Sequence, residues 1–127
     1  MKMRSGLKTG SKIEITRHIN ESQTITFDGL PPVLATPFLV WMLEESAMSL
    51  IAEFLEEDEL TLGTQIDIEH LGMARIGDEV IFSATMIQME GRQLLFNVQA
   101  TNHGKLISKG LHRRTLVSKS KLIKKLS

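Results

Sequence analysis

The sequence predicts an α+β domain in which an antiparallel sheet curls around one long buried helix. Three observations carry this expectation. A nearly all-apolar stretch opens at Thr36-Pro37 and runs to about Leu55. A single strand-like segment, Lys12 to Ile19, precedes it. Four segments at about 61–71, 79–90, 93–102 and 105–117 follow it, each alternating apolar and polar residues as a half-buried strand does.

Taken in order, the first strand sets Ile13, Ile15 and Arg17 against Glu14, Thr16 and His18. Thr24 to Phe27 reads as a short extended piece. Asp28-Gly29-Leu30-Pro31-Pro32 reads as a turn or lid-like loop, because proline has no N–H to give a ladder. Thr36 is a suitable N-cap and Pro37 suits the first helical position. The helix carries apolar residues around nearly its whole circumference, so it must be wrapped by other structure. Turns are expected at Gly72 to Asp78, Glu90-Gly91-Arg92 and Asn102-His103-Gly104. Connections this short imply antiparallel neighbours among the four later strands.

A chain of 127 residues is expected to form one domain over 1–127, burying roughly two thirds of its unfolded surface. Its formal net charge of zero argues against nucleic-acid binding, which calls for a basic excess. The absence of cysteine excludes disulfides, thiolate metal sites and cysteine nucleophiles, and is compatible with a cytoplasmic protein. Met-Lys-Met-Arg-Ser-Gly at the start is not followed by an apolar run, so no signal peptide is expected. The glutamates and serines of the long helix mark it as a core helix, not a membrane span. Glu53 and Glu56-Glu57-Asp58-Glu59 stand at the wrong end of a helix for negative charge and are expected to reach into solvent. The basic tail, about 118–127, bears four lysines between Lys119 and Lys125 and reads as a solvated, partly frayed end.

Chemistry concentrates in a few residues. On period two, Leu62, Thr64, Ile66, Ile68 and His70 share a face and Gln65, Asp67 and Glu69 the other, so His70 lies on the apolar side, where its ring needs a partner. It reads either as a satisfied core histidine or as a proton donor, which a neighbouring carboxylate would keep partly protonated near neutral pH. Glu44 and Glu45 interrupt the apolar helix. Burial disfavours a carboxylate's charge, raises its pKa and makes it a better base, unless the residue faces a solvent gap. Thr36 reads first as a helix cap, a role compatible with a site beside it, since free helix-start amides can also hold an oxyanion. His18, His103 and His112 lack metal-ligand spacing, and no metal site is expected.

Short blocks then converge on one family. They are Ala35-Thr36-Pro37, Leu43-Glu44, Leu62-Gly63-Thr64, Glu69-His70-Leu71, Ile76-Gly77, Gly91-Arg92 with Leu95-Phe96, and Gly110-Leu111-His112-Arg113-Arg114. Together they resemble the fluoroacetyl-CoA thioesterase-like family of hot-dog acyl-CoA thioesterases, over about Leu34 to Val117. The resemblance implies the hot-dog fold, a five-stranded antiparallel sheet wrapped around a long central helix. It implies hydrolysis of a small acyl-CoA thioester to free acid and CoA, with Thr36, Glu44 and His70 as catalytic residues. It prefers Glu44 over Glu45, and leaves open whether Glu44 activates water or attacks the carbonyl. Gly63, Phe27, Leu30 and Arg114 fall on substrate-binding positions; Arg114 also reads as a carboxylate partner, within reach of a CoA phosphate. No cofactor is implied, since CoA is part of the substrate. The sequence departs from the family where the prolines usual after the histidine give way to Met73 and Arg75. The aromatic lid of relatives specialised for fluoroacetyl-CoA keeps Phe27 but has Leu30 and two prolines.

Thr36 and Glu44 are eight residues apart, which on a continuous helix is ~12 Å along the axis and about 80° around it. They are poorly placed to share one proton. A site using all three residues is therefore expected to be completed across a homodimer interface, unless the chain after Thr36 is not yet regular helix. Hot-dog thioesterases resemble the first case, and such dimers can pair further into a dimer of dimers. Two other functions fit the same pattern: a hot-dog dehydratase or hydratase, and a non-catalytic acyl-CoA-binding domain. No partner in nucleic acid or membrane is expected.

Overall fold

The computed structural model describes Met3 and residues 5–127. Met1, Lys2 and Arg4, on which the reading of the N-terminus partly rests, lie outside the described residues. The elements run β1 (Lys12–His18), β2 (Thr24–Ile25), β3 (Val33–Leu34), α1 (Thr36–Ile51), β4 (Glu59–His70), β5 (Glu79–Glu90), β6 (Gln93–Asn102), β7 (Lys105–Ser118) and α2 (Lys119–Leu126). Short 3-10 turns lie at Glu21–Gln23 and Ala52–Phe54.

Five strands form one antiparallel sheet in the order β1-β5-β6-β7-β4, and β2 pairs with β3 separately. The inward residues of β5 and β6, among them Val80, Phe82, Ala84, Met86, Leu94, Phe96, Val98 and Ala100, pack against Leu39, Met42, Leu43, Ala47, Leu50 and Ile51 of α1. This is the hot-dog arrangement. The β6–β7 hairpin turns at His103 (φ 53°) and Gly104 (φ 76°), the paired left-handed residues whose twist matches two antiparallel strands. No helix among the described residues is long and apolar enough to cross a membrane.

The structure corrects several expectations. Segment 71–78 is not a hairpin: β4 pairs with β7, while β5 pairs with β1 and β6. That crossing is long enough to carry the chain over the core, and Arg75 bridges to Val33 on the way. The helix is not wrapped all round. Phe38, Trp41 and Met48 remain exposed, Trp41 by half, in one arc of α1 opposite the sheet. Ala35, not Thr36, is the N-cap, with Pro37 in the first turn; the Ala35 carbonyl receives the Phe38 and Leu39 N–H groups.

The acidic cluster does not all face water. Glu59 is buried, and Asp58 accepts hydrogen bonds from the Ser118 hydroxyl (2.7 Å) and from the Ser120 amide (2.9 Å) and hydroxyl (3.0 Å). These donors hold the Asp58 carboxyl below the usual range, the Ser118 hydroxyl most of all. They also start α2, where the Ser118 hydroxyl accepts the Lys121 N–H. The basic tail is thus an exposed, anchored helix, not a frayed end.

Candidate functional site

The geometry of the site starts with an irregularity in β4. The register against β7 shifts between Gly63 and Gln65, because Thr64 is an extra residue in the ladder. A bulge of this kind moves every later side chain to the opposite face. Before it, Glu59 and Thr61 point inward and Leu62 outward; after it, Ile66, Ile68 and His70 are the less exposed set. The expected single face from Leu62 to His70 is therefore broken at Thr64, and His70 reaches the interior side because of the bulge.

His70, at the end of β4, lies with Nδ1 2.8 Å from Oγ1 of Thr36, at the start of α1. The threonine hydroxyl that sequence suggested as a cap is used by the imidazole instead. Around the pair is a cavity of about 260 Å³ whose walls include Ile25, Phe27, Val33, Leu71 and Met73. Leu30 does not line it. That residue lines a neighbouring cavity of about 440 Å³ with Pro31, Arg75, Asp78, Asn102 and His103, and the two share Val33 and Met73. Phe27 and Leu30 are both about half exposed.

Glu44 stands elsewhere. Helix α1 is continuous from Thr36 to Ile51, so an irregular start does not bring Glu44 to Thr36. At 100° per residue Glu44 falls on the margin between the buried and exposed arcs of α1, and its side chain is 26 % exposed. Its Oε2 accepts from Nη1 of Arg114 at 3.0 Å. Glu44 is thus an ion-paired carboxylate, not one isolated among apolar groups. Glu45 instead meets Arg17 of β1 at 3.3 Å in a surface ion pair.

Arg114 is 3 % exposed and all three nitrogens of its guanidinium donate hydrogen bonds. Nε donates to the Thr61 hydroxyl (2.8 Å), Nη2 to the Thr61 carbonyl (2.9 Å), and Nη1 to both Glu44 and Nε2 of His112 (3.1 Å). Gly63 is the residue that lets this cluster close. A Cβ there would stand 2.5 Å from Oε2 of Glu44 and 3.2 Å from both Arg114 Nη1 and His112 Cε1.

Sequence reasoning passed over His112. It is 1 % exposed, and Nδ1 donates to the Gln65 carbonyl at 2.9 Å. Burial holds its pKa below the ordinary histidine value, and the Arg114 charge adds to this against the pull of Gln65 and Glu44. The signal was available: residues 112 and 114 alternate onto one face of a strand, so whatever meets Arg114 also meets His112.

One chain therefore brings together Thr36, His70 and Phe27, and separately Glu44, Gly63, Arg114 and His112. A sequence model described as fluoroacetyl-CoA-specific thioesterase matches residues 19–120. A fluoroacetyl-CoA thioesterase from Streptantibioticus cattleyicolor is 28 % identical over 124 residues, covering 91 % of this chain and 88 % of the relative. The solved fluoroacetyl-CoA thioesterase FlK superimposes with TM-score 0.89 at 27 % identity, over 96 % of each chain. A thioesterase-superfamily protein from Thermus thermophilus gives TM-score 0.87 at 26 % identity, over 96 % of this chain and 92 % of that one. With the family match spanning most of its length, this chain belongs to the fluoroacetyl-CoA-specific thioesterase family.

Proposed function

We propose that the chain is an acyl-CoA thioesterase for small apolar acyl groups, working as a homodimer in which each site takes Thr36 and His70 from one subunit and Glu44 from the other. The observation that carries this reading is the Thr36–His70 hydrogen bond of 2.8 Å at an apolar cavity. An imidazole held by a hydroxyl has its other nitrogen left to exchange a proton with a substrate. The cavity's largely apolar wall suits an uncharged acyl group. Among the first-turn amides, Phe38 and Leu39 are committed to Ala35 and Pro37 has none, which leaves the Thr36 N–H beside its hydroxyl to meet a developing oxyanion.

The partner's carboxylate completes the chemistry. Glu44 either attacks the thioester carbonyl to form an anhydride, which water then hydrolyses to the free acid and the regenerated carboxylate, or takes a proton from a water that attacks the carbonyl and gives the acid in one stage; in both, the C–S bond breaks as His70 protonates the departing CoA sulfur. Two features of the single chain favour this sharing. The half-sites are separated along a continuous helix, and α1 leaves an apolar arc of Phe38, Trp41 and Met48 uncovered.

The test is thiol release from short, branched, aromatic and halogenated acyl-CoAs, with Glu44→Ala and His70→Ala as controls. Unchanged hydrolysis in both variants would refute the site. Acyl-CoA bound without turnover would favour a binding domain, and hydration without thiol release a hydratase. Mixed dimers of Thr36→Ala and Glu44→Ala subunits carry one doubly damaged site and one intact site. They should recover about half the activity of the normal dimer on this arithmetic, and no recovery would remove the sharing.

A further inference from the structure

We propose that His112 is a positioning residue of the hydrolytic site: by donating from Nδ1 and accepting at Nε2 it fixes the Arg114 guanidinium, and through it the Glu44 carboxylate. This rests on Glu44 being the carboxylate that the reaction uses.

The hydrogen-bond inventory leaves one arrangement. The Gln65 carbonyl only accepts, so Nδ1 of His112 must carry the proton. Arg114 only donates, so Nε2 must present its lone pair. The two hydrogens of Nη1 then go one to His112 and one to Glu44, at 3.1 and 3.0 Å. Thr61 takes Nε and Nη2, and Gly63 leaves no Cβ in the way. The carboxylate is aimed by a guanidinium that cannot turn while both acceptors stay in place.

The groups facing the ring come from four elements: Glu44 of α1 at 3.7 Å from Nε2, Arg114 of β7, the Gln65 carbonyl of β4, and the Phe96 ring of β6 at 6.4 Å between centroids. A proton on Nε2 would replace the acceptor by a donor and set a second cation against Arg114. Arg114 would then have to swing, and Glu44 would lose its fixed partner. Burial opposes that protonation, so the clamp holds at neutral pH and releases on the acid side.

Two substitutions separate this role from simple packing. In His112→Gln the side-chain oxygen can reach the Nε2 position and accept from Arg114. In His112→Asn the amide can donate to Gln65 but offers Arg114 no acceptor. The expected result is that H112N lowers kcat roughly 10-fold to 100-fold with KM nearly unchanged, moves the acid limb of the pH–rate profile, and that H112Q recovers most of the loss. H112N should cost nothing more in a Glu44→Gln background, since it acts through that residue. Equal losses in H112N and H112Q, a change in KM alone, or an additive loss with Glu44→Gln would overturn the proposal. Nitrogen NMR of the wild-type ring decides independently, even where a variant does not fold. A protonated Nδ1 with a bare Nε2 between pH 6.5 and 8 supports it, and the opposite tautomer or an imidazolium there overturns it. Full activity in Glu44→Gln itself would remove the Glu44 reading, while leaving the tautomer result to judge the clamp.

Discussion

The two half-sites on α1 are built on opposite principles. At the helix start, Thr36 and His70 meet through one hydrogen bond beside a cavity, with Thr36 exposed and His70 half-buried. Near its middle, Glu44 joins a network in which Arg114 and His112 are almost wholly buried and each guanidinium nitrogen donates at least one hydrogen bond. The first pair is open to the cavity, with one hydrogen bond holding it, as the proposed proton transfer requires. The second holds a carboxylate still because its neighbours cannot move. The proposed mechanism uses both, brought together across the dimer.

Substitutions can sharpen or break that contrast. The largest effect is expected at the open pair. His70→Ala should lower kcat about 10²-fold to 10⁴-fold, the range for a lost general acid, while denaturant unfolding changes little; a large loss of stability would mean that His70 is a core residue after all. Glu44→Ala should do what His70→Ala does not. It strands the buried Arg114 charge and should cost about 2–3 kcal/mol in urea unfolding, toward the low side for a broken buried pair because the Glu44 carboxylate is partly hydrated. Glu44→Gln, which keeps an acceptor for Nη1, should lose activity with a smaller loss of stability. Gly63→Ala pushes a methyl against Glu44, Arg114 and His112 and should cost about 1–2 kcal/mol, the scale of overpacking, together with a lower kcat. An unaltered Gly63→Ala would show that the clamp is loose.

The smallest effect is in pH. His112 has a folded pKa below 6.5, so the unfolded chain binds more protons than the folded one as pH falls below that value. Stability from this group is therefore complete above about 6.5 and declines from there down through the lower, folded pKa. Unfolding at pH 7.5 and pH 5.5 should show the folded state weaker at the lower pH, and His112→Gln should flatten that part of the slope.

Much of this was legible in the residues. The period-two runs of β5 and β6 give their bounds to the residue, 79–90 and 93–102, because β6 alternates throughout between a core face and water and β5 does so as far as Met86. Thr36, Glu44 and His70 stood out as polar groups in apolar settings, and the Thr36-to-Glu44 spacing already argued that one subunit separates them. Other features were not legible for definite reasons. The bulge at Thr64 leaves the composition of β4 unchanged while reversing its faces, so period-two counting across it assigned Leu62 to the wrong side. The pairing of β4 with β7 depends on which face of α1 must be covered, which no local pattern records. The lysine-rich tail looked frayed because its anchor, Asp58, is 60 residues away in sequence from Ser118.

The sequence by itself determined the α+β class and the strand-and-helix order and singled out the candidate site residues, since polar groups placed among apolar ones carry a cost that calls for a partner. Only the tertiary structure decided which of those side chains meet. It gave the Thr36 hydroxyl to His70 instead of the helix end, turned Glu44 toward Arg114 and Glu45 toward Arg17, and drew His112 into the site. Such choices depend on distances between residues far apart in the chain, and those are set by the packing of the sheet on the helix.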